Sequence, residues 1–162
     1  MKGMISAPLA ELLIKQIGSE LTAHQNYMAI SLYFRRQSLD EWAKLFHQQA
    51  LEEAQHASKI LNFLIDCEVE FDLPAIGAAS TKFAAAIDAV KSAQASERRV
   101  TTEFQTMARV ATENQDFVGF QFLQWFLEEQ VEEEAKMAKI YDLVSSGVNL
   151  FQAQPLLTQF DD

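Results

Sequence analysis

Four long stretches of apolar residues at helical spacing, interrupted once by a long irregular segment, constrain this chain more than any other feature. Ser6-Ala7-Pro8 reads as a helix start, because a first turn tolerates the missing N–H of Pro8. From there Leu9, Leu12, Leu13, Ile17, Leu21, Tyr27, Met28 and Leu32 recur at helical spacing to about Arg36. Ser38-Leu39-Asp40-Glu41 reads as a capping box opening a second helix, which carries Trp42, Leu45, Phe46, Leu61 and Leu64 and runs to about Asp66. Glu68 to Ser80 breaks the pattern, with Phe71-Asp72-Leu73-Pro74 and Gly77. A third helix is predicted from about Thr81 to Ala111, and a fourth from near Gln115 to Ser145, ended by Gly147. Asn149 to Gln159 has the apolar content for a short fifth helix despite Pro155.

Connection lengths set the topology. Two or three residues join helices one and two, so these are antiparallel neighbours, and the same holds for three and four. The middle connection, about thirteen residues, covers roughly 43 Å when extended. A helix of about 28 residues is roughly 42 Å long. The connection can therefore run back along the bundle and make helices two and three parallel. The expected fold class is all-α: a ferritin-like four-helix bundle with one long crossover between helices 2 and 3 and a short C-terminal fifth helix. One domain over residues 1–162 is expected.

Composition narrows the function. Hydrophobic residues make up 49%, which argues against disorder. A net charge of −10 argues against a nucleic-acid partner and for cations, with solubility as the plainer reading. No apolar run is long enough to span a bilayer, so no membrane partner is expected. Met1-Lys2-Gly3-Met4-Ile5-Ser6 shows no leader pattern. Cys67, the one cysteine, excludes an internal disulfide and a Cys-rich metal site. A reducing, cytoplasmic compartment fits.

Glu53 and His56 stand three apart, E-x-x-H, so both leave one helix face and can grip one ion. The mirror of Glu53 about the turn near position 37 falls at about 21, and Glu20 is there on the apolar stripe. Glu97 and Gln130 are symmetric about the second turn, and Glu133 shares the face of Gln130. A shift of 77 takes Glu20 to Glu97, Glu53 to Gln130, His56 to Glu133 and Glu52 to Glu129. Four inward carboxylates, Glu20, Glu53, Glu97 and Glu133, would repel each other unless cations meet them. Their formal charge matches two divalent ions. The alternative is that some snorkel to solvent or share protons. Carboxylates with one imidazole suit Fe(II), Mn(II) or Zn(II). His24 reads as a helix histidine bonded to a neighbour, His47 as surface, and Cys67 and Trp125 as packing residues.

These residues, with the run Phe122-Leu123-Gln124-Trp125-Phe126-Leu127-Glu128-Glu129-Gln130-Val131-Glu132-Glu133, make the chain resemble a bacterial-type non-haem ferritin from Leu9 to Phe160. The resemblance implies iron storage with ferroxidase activity, O2 or peroxide being the oxidant. Glu20, Glu53 and His56 would surround one iron. Glu53 would bridge to a second, held by Glu97 and by Gln130 or Glu133 according to state. Two Fe(II)/Fe(III) ions per subunit are implied, with a third at Glu52, Glu129 and Glu132. The alternative for those three is a solvated acidic face. The resemblance also implies a 24-subunit homo-oligomeric shell around a ferric oxyhydroxide mineral. Tyr27 matches a tyrosine beside the centre that gives an electron or a hydrogen bond. The position where bacterioferritins carry a haem-binding methionine is Ala54, so no haem is expected. A rival reading is a di-iron oxidase acting on an organic substrate, which needs an open pocket beside the metals.

Overall fold

The chain was analysed as a computed structural model that describes residues 3–161. Met1 and Lys2, part of the stretch read for a leader, and Asp162, the end of the predicted domain, lie outside the described residues. The described residues form α1 (Ala7–Arg36), α2 (Asp40–Asp66), α3 (Ala86–Glu113), α4 (Phe117–Ser145) and α5 (Leu150–Ala153). Helix α5 runs directly into a 3₁₀ turn, Gln154–Phe160. Pro155 lies in the first turn of that 3₁₀ segment, where its missing N–H matters least.

Helix directions follow from side-chain pairs. Ser19 donates to Glu103 and Tyr27 to Glu97, so rising numbers on α1 meet falling numbers on α3. Gln49 bonds Glu133 on α4 and Phe63 stacks on Phe122 at 3.7 Å, so α2 and α4 are also antiparallel. With short turns within each hairpin, α2 and α3 are parallel, as the connection lengths predict. The crossover climbs beside α1. Pro74 lies against Gly18, Gln25 donates to the Gly77 carbonyl at 2.8 Å, and Arg36 donates to Thr81 at 2.9 Å.

Three local expectations need correction. The crossover covers residues 67–85, and α3 starts at Ala86 rather than near Thr81. Phe83 is instead docked edge-to-face on Tyr33, with centroids 5.5 Å apart, and this holds the chain off the helix axis. Ser38 does not cap α2. It sits in the turn at φ 60, and Leu39 occupies the cap position without a side-chain bond. The Glu41 amide, one of the orphan donors of the first turn, is met by Gln154 Oε1 at 3.0 Å from the far end of the chain. Leu32, placed on the apolar stripe, is 42% exposed.

Asp116 ties two helix starts together. Its Oδ1 accepts from the Gly119 amide at 2.8 Å and caps α4. Its Oδ2 accepts from the Ser6 amide at 2.6 Å, just before α1. A Cβ on Gly119 would stand 2.1 Å from Leu9 Cδ2 and 2.9 Å from the Asp116 carboxylate, so Leu9 packs into the space that glycine leaves. Asp116→Ala is expected to lower stability by about 2 kcal/mol, since a buried cap and a second amide partner go together. Urea unfolding checks this, and a loss under about 0.5 kcal/mol would contradict it.

Two apolar clusters fill the bundle. One gathers Tyr27, Phe34, Trp42, Phe46, Met137 and Leu157. The other gathers Leu13, Ile17, Leu64, Phe104, Leu123 and Phe126. On each of the four long helices the acidic site residues fall between them. Glu20 follows Ile17 and precedes Tyr27, and Gln130 and Glu133 lie between Phe126 and Met137.

Candidate metal centre

A polar belt crosses the bundle between the two clusters, with each long helix contributing. Glu20 is 0% exposed, Glu53 and Glu97 2%, and Glu133 3%, so none of the four carboxylates snorkels to solvent. His56 and Gln130 are buried beside them. Glu20, Glu53 and His56 can each offer one ligand atom, all within 4.8 Å of one another. His56 Nδ1 lies 3.5 Å from Glu53 Oε2 and 3.8 Å from Glu20 Oε2. Among the described residues, Glu20 Oε2 and His56 Nδ1 have no hydrogen-bond partner. Buried polar atoms are nearly always bonded, so orphans facing each other across a gap mark a place for an ion.

Glu97 and Glu133 stand outside that trio and have their own supports. Tyr27 donates its hydroxyl to Glu97 Oε1. Gln130 donates to Glu97 Oε2 and to the Glu97 carbonyl, both at 3.2 Å, and to Thr101 at 3.1 Å. Glu133 Oε2 accepts from Gln49 at 2.6 Å.

Burial pushes these carboxyl groups up. Glu53 rises to about 7 through burial and the Glu20 charge, against the pull of His56. Glu97 rises to about 7 through burial and the Glu53 charge, partly offset by its bonds from Tyr27 and Gln130. Glu133 rises to about 9 through burial and the charges of Glu97 and Glu53. Burial alone would lower His56, but Glu20 and Glu53 hold it up to about 11. Burial and the charges of Glu97 and Glu53 push Tyr27 well above the usual tyrosine range. These upward shifts let the metal-free belt offset its own repulsion with protons. Those protons stand where dipositive ions would.

The outer residues line adjoining clefts, Glu52 with Glu129 and Glu129 with Glu132. Glu129 Oε1 lies 3.9 Å from His56 Nε2, Glu52 Oε2 lies 3.9 Å from Lys136 Nζ, and Glu132 is exposed. His24 Nδ1 bonds the Ala50 carbonyl at 2.6 Å, His47 is exposed and Cys67 is buried, as expected. Trp125 does more than pack. Its ring meets His56 edge-on at 5.5 Å, and Lys59 Nζ stands 4.2 Å over it.

Two further residues escaped the sequence reading. Gln16 donates to Glu20 Oε1 at 2.9 Å, and Gln49 donates to Glu53 Oε1 at 3.3 Å as well as to Glu133. Both are buried. Each is a glutamine four residues before an inward glutamate, a repeated Q-x-x-x-E that could have revealed them. Gln49→Leu would leave two carboxylates without their shared donor. Initial aerobic Fe(II) oxidation is expected to fall about tenfold with the helical content unchanged. Stopped-flow absorbance measures the rate, and a wild-type rate would remove Gln49 from the site.

Residues 10–146 match the family described as Ferritin-like domain. The chain is 38% identical over 158 residues to Ferritin BfrB of Mycolicibacterium smegmatis, covering 97% of this chain and 87% of that protein. It is 36% identical over 132 residues to a bacterial non-heme ferritin of Staphylococcus aureus, covering 82% and 80%. The open pore ferritin of Archaeoglobus fulgidus superposes with a TM-score of 0.90 at 27% identity, over 94% of this chain and 97% of that one.

Proposed function

The chain belongs to the ferritin-like family, and we propose that its polar belt is a di-iron ferroxidase centre supplying an iron store. Iron storage is the function that this membership carries, and iron is the substrate. One observation supports the centre above all: Glu20, Glu53 and His56 offer three ligand atoms within 4.8 Å in a buried belt with orphaned polar atoms. Glu20, Glu53 and His56 take one Fe(II). Glu53 is shared with a second Fe(II), completed by Glu97 and by Gln130 or Glu133. Tyr27 fixes Glu97 by its hydrogen bond, and Gln16 and Gln49 fix Glu20 and Glu53.

Two adjacent Fe(II) each give one electron to O2, which takes two protons and leaves as peroxide. Where peroxide is the oxidant, it is reduced to water. Fe(III) then passes the outer carboxylates Glu52, Glu129 and Glu132 and hydrolyses to oxyhydroxide with release of protons. Storage needs a closed container, and 24 copies is the number implied by the resemblance. Phe117 is 80% exposed, Val131 72% and Ile65 64%, which suits faces covered by other copies. Among the described residues no helix is long and apolar enough to cross a membrane. A cytoplasmic location is part of the proposal.

The rival, oxidation of an organic substrate, is disfavoured by the cleft beside His56. It is lined by Gln48, Glu52, Gln55, Lys59 and Glu129, with Trp125 as its one large apolar wall. Aerobic Fe(II) titration followed by absorbance and size-exclusion tests the proposal. The expected result is a large assembly that takes up far more than two irons per chain. A small oligomer that stops at two per chain would overturn storage and favour the rival.

A further inference from the structure

We infer that Lys136 is a built-in counter-cation of the outer carboxylates, holding the place of a third metal ion beside Glu52 and keeping strong binding to two ions per chain. The inference rests on the di-iron reading above and assigns the regulation of its outer side. Lysine is rarely this enclosed: the Lys136 side chain is 13% exposed, and that of Glu52, 3.9 Å from its ammonium, 15%. On α4 it stands one turn after Glu132 and Glu133 and two turns after Glu129. It borders the cleft lined by those three glutamates and also the neighbouring cleft lined by Gln48 and Glu52. Lys136 therefore borders both clefts, with its ammonium 3.9 Å from Glu52. Its charge also pulls Glu133 down against the upward push of burial and of Glu97 and Glu53.

An ion gripped by Glu52 would have to sit beside a fixed positive charge at less than the Debye length, with little water between. The ammonium supplies the neutralisation that the ion would otherwise supply. Lysine differs from a metal in one respect that suits a passage. Its stem is flexible, so the ammonium can swing aside for a moving ion and then return. The outer carboxylates then conduct iron without retaining it. Helical spacing alone puts Lys136 near Glu132 and Glu133, but its contact with Glu52 exists only across the α2–α4 interface.

Anaerobic Fe(II) calorimetry on the assembled protein tests the inference, comparing wild type with K136Q, K136M and K136R. Wild type and K136R are expected to saturate at two strong ions per chain. K136Q and K136M are expected to bind a third, at least about tenfold tighter than any outer binding in wild type. A wild-type stoichiometry of three, or a value of two for both neutral variants, would overturn the role of Lys136. E53A, run alongside, separates the two readings. If it binds as many strong ions as wild type, the inner centre fails, while the contrast between K136Q and K136R still decides Lys136.

Discussion

Glu53→Ala is expected to lower the initial rate of aerobic Fe(II) oxidation by at least about a hundredfold, while the helical bundle stays intact. Glu53 is the hub of the belt. It lies 3.5 Å from His56, accepts from Gln49, and its charge raises the proton affinity of Glu97, Glu133 and Tyr27. It belongs to the Glu20–His56 trio and its charge acts on Glu97 and Glu133, which suits the shared position proposed for it. Alanine leaves two separated half-sites, and a two-electron transfer to one O2 needs both metals together. The fold has little reason to suffer. Removing a carboxyl that burial has pushed up to about 7 removes an ionisation cost as well as a few contacts. Loss of rate with an unchanged circular-dichroism spectrum and unchanged assembly size is the expected pattern. A rate within twofold of wild type would place oxidation elsewhere in the molecule.

The inward acids were legible in the sequence because helix geometry is rigid. Equal rise per residue on two antiparallel helices makes distance from the turn a coordinate, and that coordinate paired Glu53 with Glu20 and Glu97 with Gln130. The structure puts all of them in one buried belt. Partners set by rotamers were not legible. Gln49 on α2 reaches Glu133 on α4, Glu52 reaches Lys136, and Glu129 faces His56, whereas the family resemblance grouped Glu52, Glu129 and Glu132. Glutamine on a helix has no apolar signature, so Gln16 and Gln49 were not singled out. The caps failed for a similar reason. Ser38 had the right neighbours for a capping box, but Gln154 from the chain terminus competes for the start of α2 and Ser38 is spent on the turn. The start of α3 moved because Phe83 gains more by docking on Tyr33 than by extending a helix with no capping side chain.

The metal-free protein is expected to lose thermal stability as pH rises from about 6 to about 9, and divalent metal is expected to restore it. Glu53 and Glu97 at about 7, and Glu133 at about 9, all lie above the value of 4.5 for a free glutamate. A carboxyl with a raised folded value holds a proton that the unfolded chain has released. Its stabilising effect is complete below about 4.5 and is lost as pH passes through the folded value. His56 has the same sign, its contribution being complete below 6.5 and lost through about 11. All four groups therefore act in one direction between pH 6 and 9. Metal binding requires neutral imidazole and ionised carboxylates, so each chain must give up its belt protons when the ions enter. With these values, roughly four protons per chain leave at pH 6 and roughly two at pH 8. Scanning calorimetry of the apo-protein across this range, with and without Zn(II), measures the stability. A pH indicator during anaerobic Zn(II) addition in weak buffer counts the protons. An apo melting temperature that stays level or climbs from pH 6 to 9, or fewer than one proton released at pH 6, would mean that the belt is already ionised and that protons do not stand in for the metals.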